Sequence, residues 1–422
     1  MIKFKNESII QIIERTLNYV DCRLVDHGLR VAYLFYRMLK QGEYTYTEED
    51  LRDLCLLALM HDFGAYKTEE INNMVKFEAF GIGQHAIYGY LILKNFSPRS
   101  QYAEVILYHH ASCSEVREAS SPFLQHLAQC ISITDRADIF AQNGKSTQEF
   151  IEFISVQRGI HFFGHIIDLF LLTGIEFDTL TEVIEADEEF HRMLYHTTLY
   201  PKDAFDYLNL LINALEFRSH QTALHTESTI FIAEFIANQL QLDEDDTYVL
   251  ITAALLHDIG KVNIPLSILE SPRYLDDQEI EIMRKHVLYT DLILKDTITD
   301  RIRIIATRHH EKINGSGYPC GLALSTEHLL ERILSIADIL SALMGKRSYK
   351  NSFNKKDVCL ILIEMSREML IDIEITQLVV DHYDELLHVL DEMLTPIAHI
   401  YETMQEEFTA LTMKYNAIKT ME

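Results

Sequence analysis

The chain writes one histidine-bearing pattern twice, and this duplication limits what it can fold into more than any other feature. Leu57–Lys67 reads LALMHDFGAYK and Ala253–Asn263 reads AALLHDIGKVN. His85–Asn95 (HAIYGYLILKN) and His286–Asp296 (HVLYTDLILKD) share H-x-x-Y-x-x-L-I-L-K. ILYHH at 106–110 is matched by ATRHH at 306–310, and ISITDRADIF at 131–140 by LSIADILSAL at 334–343. Four matches in one order and at similar spacing mark an internal repeat. A chain of 422 residues is long enough for two cores. The expected division is therefore into domains 1–200 and 201–422, joined near YHTTLYPKDAF, where Pro201 opens a long helix.

The repeated unit reads as helical. Segments such as DTYVLITAALLHDIG place apolar residues at i, i+3, i+4 and i+7, and strand signals are sparse. Only 15 Gly and 7 Pro interrupt the chain, so an all-α fold is expected. The N-terminus alternates charged and apolar residues with helical period, unlike a signal peptide. The apolar run His165–Ile175 is too short to span a bilayer and contains Asp168. Six cysteines form no CxxC pair, which suits free thiols in a reducing compartment. A cytoplasmic protein with no membrane association is expected. The formal net charge of −27 argues against long nucleic acid as a partner. A small phosphorylated ligand stays open, because bound metal ions reverse the field inside a pocket.

The repeats align on groups that hold metal. The second half offers His225, His257, Asp258, His286, His309, His310 and Asp338; the first offers His27, His61, Asp62, His85, His109, His110 and Asp135. Ten of the 20 histidines thus occupy matched positions. A lone histidine is an ordinary core or surface residue, but seven matched donors occurring twice point to a metal site. Imidazole with carboxylate suits Fe, Mn, Zn or Ni, and the lack of Cys donors argues against a structural zinc cage. The Asp of a His-Asp pair can bridge two ions through its two oxygens. Two ions ~3.5–4 Å apart activate a bridging hydroxide and neutralise a phosphodiester.

HDIGK with HHEKINGSGYP makes the second half similar to the HD-GYP family of metal-dependent phosphodiesterases, a branch of the HD superfamily, over roughly residues 203–380. The connecting segments SPRYLDDQEIEIMRKH and ILSIADILSALMGKRSYK fall where that family has linking helices and its last ligand helix. The resemblance implies two tandem HD-type helical domains. It also implies one ion on His225, His257, Asp258 and Asp338, and a second on the bridging Asp258 with His286, His309 and His310, commonly iron or manganese, with Zn and Ni as alternatives. Asp258 and Lys261 are the expected catalytic residues. Lys261 would reach a substrate phosphate, Arg347 and Lys350 would clamp the ligand's phosphates, and Gly317 and Tyr318 would line its binding wall. Gly315 and Gly317 permit a close backbone approach, and Pro319 fixes the exit direction.

Departures from that pattern carry their own expectations. Gln221 stands where some family members have a third-ion Glu, which implies two ions. Asn314 and Ser341 each replace a frequent Asp. In the first half Ala65 replaces the lysine, HHASCSEV lacks the GYP loop, and Gly144 replaces the clamp arginine, with Lys67 and Lys145 out of register. That domain is expected to hold further metal without substrate chemistry, in a structural or regulatory role. The long C-terminal helices carry apolar stripes that suit core packing, with a homodimer interface as the alternative.

The expected function is hydrolysis of a cyclic dinucleotide, with cyclic di-GMP the first choice and 3′,3′-cyclic GMP-AMP the alternative. The competing readings are an HD phosphohydrolase of other nucleotides and a catalytically silent nucleotide-binding signalling protein.

Overall fold

A computed structural model describes residues 6–19, 25–67, 82–196, 201–216, 224–345 and 354–419. Among them helix is the only repetitive structure, with two isolated bridges. No helix among them is long and apolar enough to cross a membrane. The chain forms two compact units, Phe4–Ala214 with Met404–Glu422, and Leu215–Thr403.

The repeat is visible element by element. In the first unit α1 (His27–Gln41), α2 (Glu48–Leu59), α3 (Gln84–Phe96), α4 (Ala103–Leu107) and α5 (Pro122–Gln142) carry the site. After α6 (Pro201–Glu216) the same order returns as α7 (His225–Gln239), α8 (Glu244–Leu256), α9 (His286–Leu294), α10 (Asp300–Thr307) and α11 (Leu329–Met344). Short 3-10 turns, Phe63–Lys67 and Ile259–Asn263, follow α2 and α8. Local chemistry sets the starts. Thr47 and Asp50 form a reciprocal capping box on α2, and Asp243 accepts the Asp246 N–H of α8. Ser121 caps α5, with Pro122 in its first turn. Residues 126–139 of α5 are all buried, as expected of a helix running through a core.

The units do not part at the expected 200/201 boundary. Tyr207 of α6 is buried against the first unit's Asp53, its hydroxyl 3.4 Å from Oδ1, so α6 packs with that unit up to Ala214. The last helix, α12 (Tyr383–Lys419), is likewise shared. Its final part belongs to the first unit. There Phe408 stacks on Tyr88 at 4.1 Å, Tyr415 Oη lies 3.3 Å from Tyr108 Oη, and Glu407 accepts from Lys94 at 2.7 Å. An apolar stripe names no partner, so sequence alone did not reveal which core this segment joins.

Two glycines fix how the 3-10 turns cross the next helix. A Cβ on Gly64 would lie 2.1 Å from the His85 carbonyl oxygen, and one on Gly260 would lie 2.0 Å from that of His286. In the second unit the Gly260 N–H donates to Thr290 Oγ1 at 3.1 Å, and that hydroxyl donates to the His257 carbonyl at 3.0 Å. Gly64→Ala and Gly260→Ala are each expected to destabilise the protein by about 1–3 kcal/mol or more through overpacking, read as a lowered unfolding transition. Gly42→Ala, where the nearest atoms lie 3.7 Å away, is the control and is expected to stay within ~0.5 kcal/mol.

Candidate metal centres

Five of the ten site histidines are aimed by one device. His61 and His257 follow the ends of α2 and α8, where helix carbonyls lack intrahelical partners. Each donates its Nδ1–H to the carbonyl three residues back, Ala58 and Ala254, at 2.7 Å. His109 and His309 repeat this after α4 and α10, donating to Ile106 at 2.6 Å and Ala306 at 2.7 Å, and His286 donates to Met283 at 2.7 Å. A proton held at Nδ1 leaves the Nε2 lone pair as the free donor, the arrangement that metal-ligating histidines use.

Those nitrogens converge on two carboxylates in each unit. Asp62 Oδ2 lies 3.3 Å from His61 Nε2 and 3.7 Å from His27 Nε2, while its Oδ1 faces His109 at 3.4 Å and His85 at 3.9 Å. Asp258 divides in the same way: Oδ2 faces His257 at 3.2 Å and His225 at 3.4 Å, and Oδ1 faces His286 at 3.4 Å. Asp135 Oδ1 lies 3.4 Å from His27, with Oδ2 3.6 Å from His110 Nδ1. Asp338 matches it, with Oδ1 3.1 Å from His225 and Oδ2 3.8 Å from His310. Each HD aspartate therefore presents one oxygen to each of two donor groups. All fourteen expected metal ligands lie in these two clusters.

The donors fit a metal by their lack of other partners. Buried polar groups are normally hydrogen-bonded, yet His27 Nε2, His61 Nε2, His109 Nε2 and both oxygens of Asp62 and of Asp135 have none in the first unit. His257 Nε2 and Asp258 Oδ1 are in the same condition in the second. Within each donor group the ligand atoms lie within 4.8 Å of one another: Asp62, His85, His109, His110; His27, His61, Asp62, Asp135; His286, His309, His310; and His225, His257, Asp258. Nitrogen and oxygen donors without thiolate suit divalent transition metals.

Electrostatics separates the donors. Burial disfavours charge on His225, but Asp258 and Asp338 outweigh it and raise its pKa to about 9. Burial likewise opposes charge on His27, and Asp135, Asp138 and Asp62 outweigh it, holding its imidazole well above the usual range. Burial takes His310 down to about 3 and holds His309 and His110 well below their ordinary value. The neutral histidines keep their lone pairs, while protons gather where the carboxylates face, which is where a cation belongs.

The units differ around these clusters. Lys261, at the 3-10 turn, makes an ion pair with Asp258 Oδ2, whereas Ala65 at the matching position is buried. The His310 side chain is 23% exposed and that of His110 only 2%; Asp338 is 11% exposed and Asp135 fully buried. His310 and Asp338 are thus more open than their counterparts, while the HD aspartates are alike, Asp62 at 13% and Asp258 at 10%.

The GYP loop builds the wall of that opening. Gly317 is required by close approach, since a Cβ would lie 2.4 Å from the His310 carbonyl oxygen and 2.5 Å from Glu311 Cα. Tyr318 sets its ring 4.6 Å from that of His310, and the Tyr318–Pro319 bond is cis. Gly315 adopts φ 76°, and Asn314 ties the loop to the 368–369 turn through the Glu368 and Met369 carbonyls. Arg347, Lys350 and Gln221 lie outside the described residues.

Sequence reasoning assigned no role to Glu311, the acid of HHE. It is fully buried, and its two oxygens accept the Cys320 N–H at 2.7 Å and the Leu322 N–H at 2.8 Å. The carboxylate fastens the loop's return strand to the residue after His310. Ala111 stands at its place in the first unit, which explains physically why no such loop is held there. Lys312, half-buried in the field of Asp338, was also passed over; burial lowers its pKa. Glu311→Ala would remove the acceptor of both part-buried N–H groups, Cys320 and Leu322. The expected outcome is faster amide exchange at Cys320 and Leu322 with full metal content, and a retained metal count with unchanged exchange would exclude this role.

Models of the HD domain match residues 24–139 and residues 209–375. The chain is 26% identical over 370 residues to 3′3′-cGAMP-specific phosphodiesterase 1 of Vibrio cholerae, covering 83% of this chain and 85% of that one. It is 35% identical over 168 residues to the cyclic di-GMP phosphodiesterase response regulator RpfG of Xanthomonas campestris, covering 39% of this chain and 44% of that relative. In fold it is similar to a crystal structure of a cyclic GMP-AMP-specific phosphodiesterase of V. cholerae (V-cGAP3), with TM-score 0.53 and 20% identity over 92% of this chain and 98% of that one. With two HD domains in tandem, and the GYP loop closing the second, the chain belongs to the HD-GYP family.

Proposed function

We propose that the protein is a metal-dependent phosphodiesterase that hydrolyses a cyclic dinucleotide in its second domain. One observation carries the assignment: among the described residues, only there do the donor groups, a lysine on the HD carboxylate and a braced GYP loop occur together. His225, His257, Asp258 and Asp338 would hold one divalent ion, and Asp258 with His286, His309 and His310 the other. Such ions, when bound, supply an activated water and charge neutralisation for an in-line displacement at phosphorus.

The chain's own residues do the rest. Asp258 is the shared ligand, because its two oxygens face the two donor groups. Lys261, held at that carboxylate by charge, brings a compact cation to a substrate phosphate and its leaving oxygen. Tyr318 and Gly317 form the wall against which the ligand's base lies. Water oxygen bonds to phosphorus and the P–O3′ bond breaks; one of the water's protons ends on the 3′ oxygen as a hydroxyl and the other is released from the new phosphomonoester, giving a linear dinucleotide.

3′,3′-cyclic GMP-AMP is placed ahead of cyclic di-GMP, in the reverse of the order expected from the family resemblance. The V. cholerae relative named for cGAMP aligns along 83% of this chain, through both domains, whereas the relative named for cyclic di-GMP aligns along 39%. Base preference belongs to surroundings that the shared motif does not encode, so the longer likeness carries more weight.

The test is turnover of both cyclic dinucleotides, and of nucleoside triphosphates, by metal-loaded protein. His257→Ala/Asp258→Ala is expected to abolish cyclic-dinucleotide hydrolysis by more than ~100-fold, exceeding the effect of losing an outer partner of a ligand. His61→Ala/Asp62→Ala is expected to retain it. Turnover of triphosphates alone would overturn the substrate class, and loss of activity in the His61/Asp62 variant alone would move catalysis to the first domain. In the same assay Lys261→Met, with its metal content intact, is expected to lower kcat more than it raises KM.

A further inference from the structure

The two clusters differ behind their first histidine. His27 Nδ1 lies 2.7 Å from Asp138 Oδ2, and Asp138, fully buried, is gripped by Arg30 through Nε at 2.5 Å and Nη2 at 3.1 Å. In the second unit the same two positions are serines. His225 Nδ1 lies 2.9 Å from Ser341 Oγ, which in turn touches Ser228 Oγ. The register is unambiguous, since Asp138 and Ser341 stand three residues after Asp135 and Asp338, and Arg30 and Ser228 three after His27 and His225.

Proton counting sharpens the contrast. For His27 or His225 to offer Nε2 to a cation, Nδ1 must carry the hydrogen and donate it. In the first unit the acceptor is an ionised carboxylate, so the bond is charge-assisted and strengthens the imidazole as a donor. In the second it is a neutral hydroxyl whose own proton goes to the His225 carbonyl at 3.1 Å. The first histidine is also the more enclosed in the first unit, with the His27 side chain 5% exposed against 13% for His225.

We propose that Asp138 is a positioning residue that makes the first domain the tighter metal site, so that the first domain retains its ions under conditions in which the catalytic domain exchanges them. The first domain's metal is then a permanent part of its fold. The inference rests on the ligand assignments of the proposed function but needs no substrate turnover. Outer partners of this kind change metal affinity ~10–100-fold, which sets the expected separation between the two sites.

Metal counts against a graded chelator test this in the full chain, using His257→Ala/Asp258→Ala to isolate the first site and His61→Ala/Asp62→Ala to isolate the second. The first site is expected to release metal at ~10–100-fold more chelator than the second. Asp138→Asn, which keeps the size and an acceptor but loses the charge, is expected to bring the first site's release toward that of the second. The reciprocal Ser228→Arg/Ser341→Asp variant is expected to tighten the second site, a gain that misfolding cannot mimic. Equal release by the two isolated sites, a metal-free first site, or Asp138→Asn with unchanged release would each overturn the proposal. A metal-free second site would instead overturn the ligand assignments on which the proposed function rests.

Discussion

The fold is organised around a carboxylate that has no business in a core unless a cation joins it. Asp62 and Asp258 are each surrounded by imidazoles, with a second aspartate, Asp135 or Asp338, closing the cluster. Burying ionised carboxylates without compensation costs several kcal/mol per group. The local architecture answers that demand. Helices end one or two residues before His61, His109, His257 and His309, freed carbonyls orient those rings, and a glycine lets the 3-10 turn lie on the following helix. None of these devices is needed to pack an apolar helical bundle. Their appearance in both units, in one order, reflects the requirement to point several Nε2 atoms at one acid.

The two copies show which parts belong to ligation and which to an opening for substrate. The donor set recurs in both: the aspartates, the histidine pairs and the carbonyl braces are present twice. What the second unit adds lies on its rim, namely Lys261 at the HD carboxylate and a loop held by Glu311. The loop cannot be transplanted as a motif alone. Without an acid after the histidine pair, the Cys320 and Leu322 N–H groups would turn inward with nothing to accept them, and with any residue larger than Gly317 the loop could not come near His310.

Much of this was legible in the sequence, for reasons that can be named. Helical periodicity and the repeat fix an all-α tandem architecture, because spacing survives translation into structure directly. The clustering of the fourteen donor residues was legible because their chemistry is rare and their order is repeated. Glu311 was visible as a letter but not as a brace, since its partners lie nine and eleven residues on, across a loop whose path the letters do not give. Asp138 and Arg30 were hidden for another reason: an acid and a base on two helices look like surface charges until the helices are brought side by side. The allegiance of Met404–Lys419 to the first unit was likewise hidden, since Phe408 and Tyr415 read as an apolar stripe with no stated partner.

Holding a metal and using it place opposite demands on the same donors. A closed, strongly braced site keeps its ions but leaves no room for a substrate oxygen, whereas a catalytic site must keep a position open. In one domain those demands compromise each other. A duplicated chain need not compromise, because the copy without a loop is free to close around its donors and the copy with one is free to open. The carboxylate brace at His27, the hydroxyl at His225, and the exposure of His310 beside the burial of His110 all follow that division.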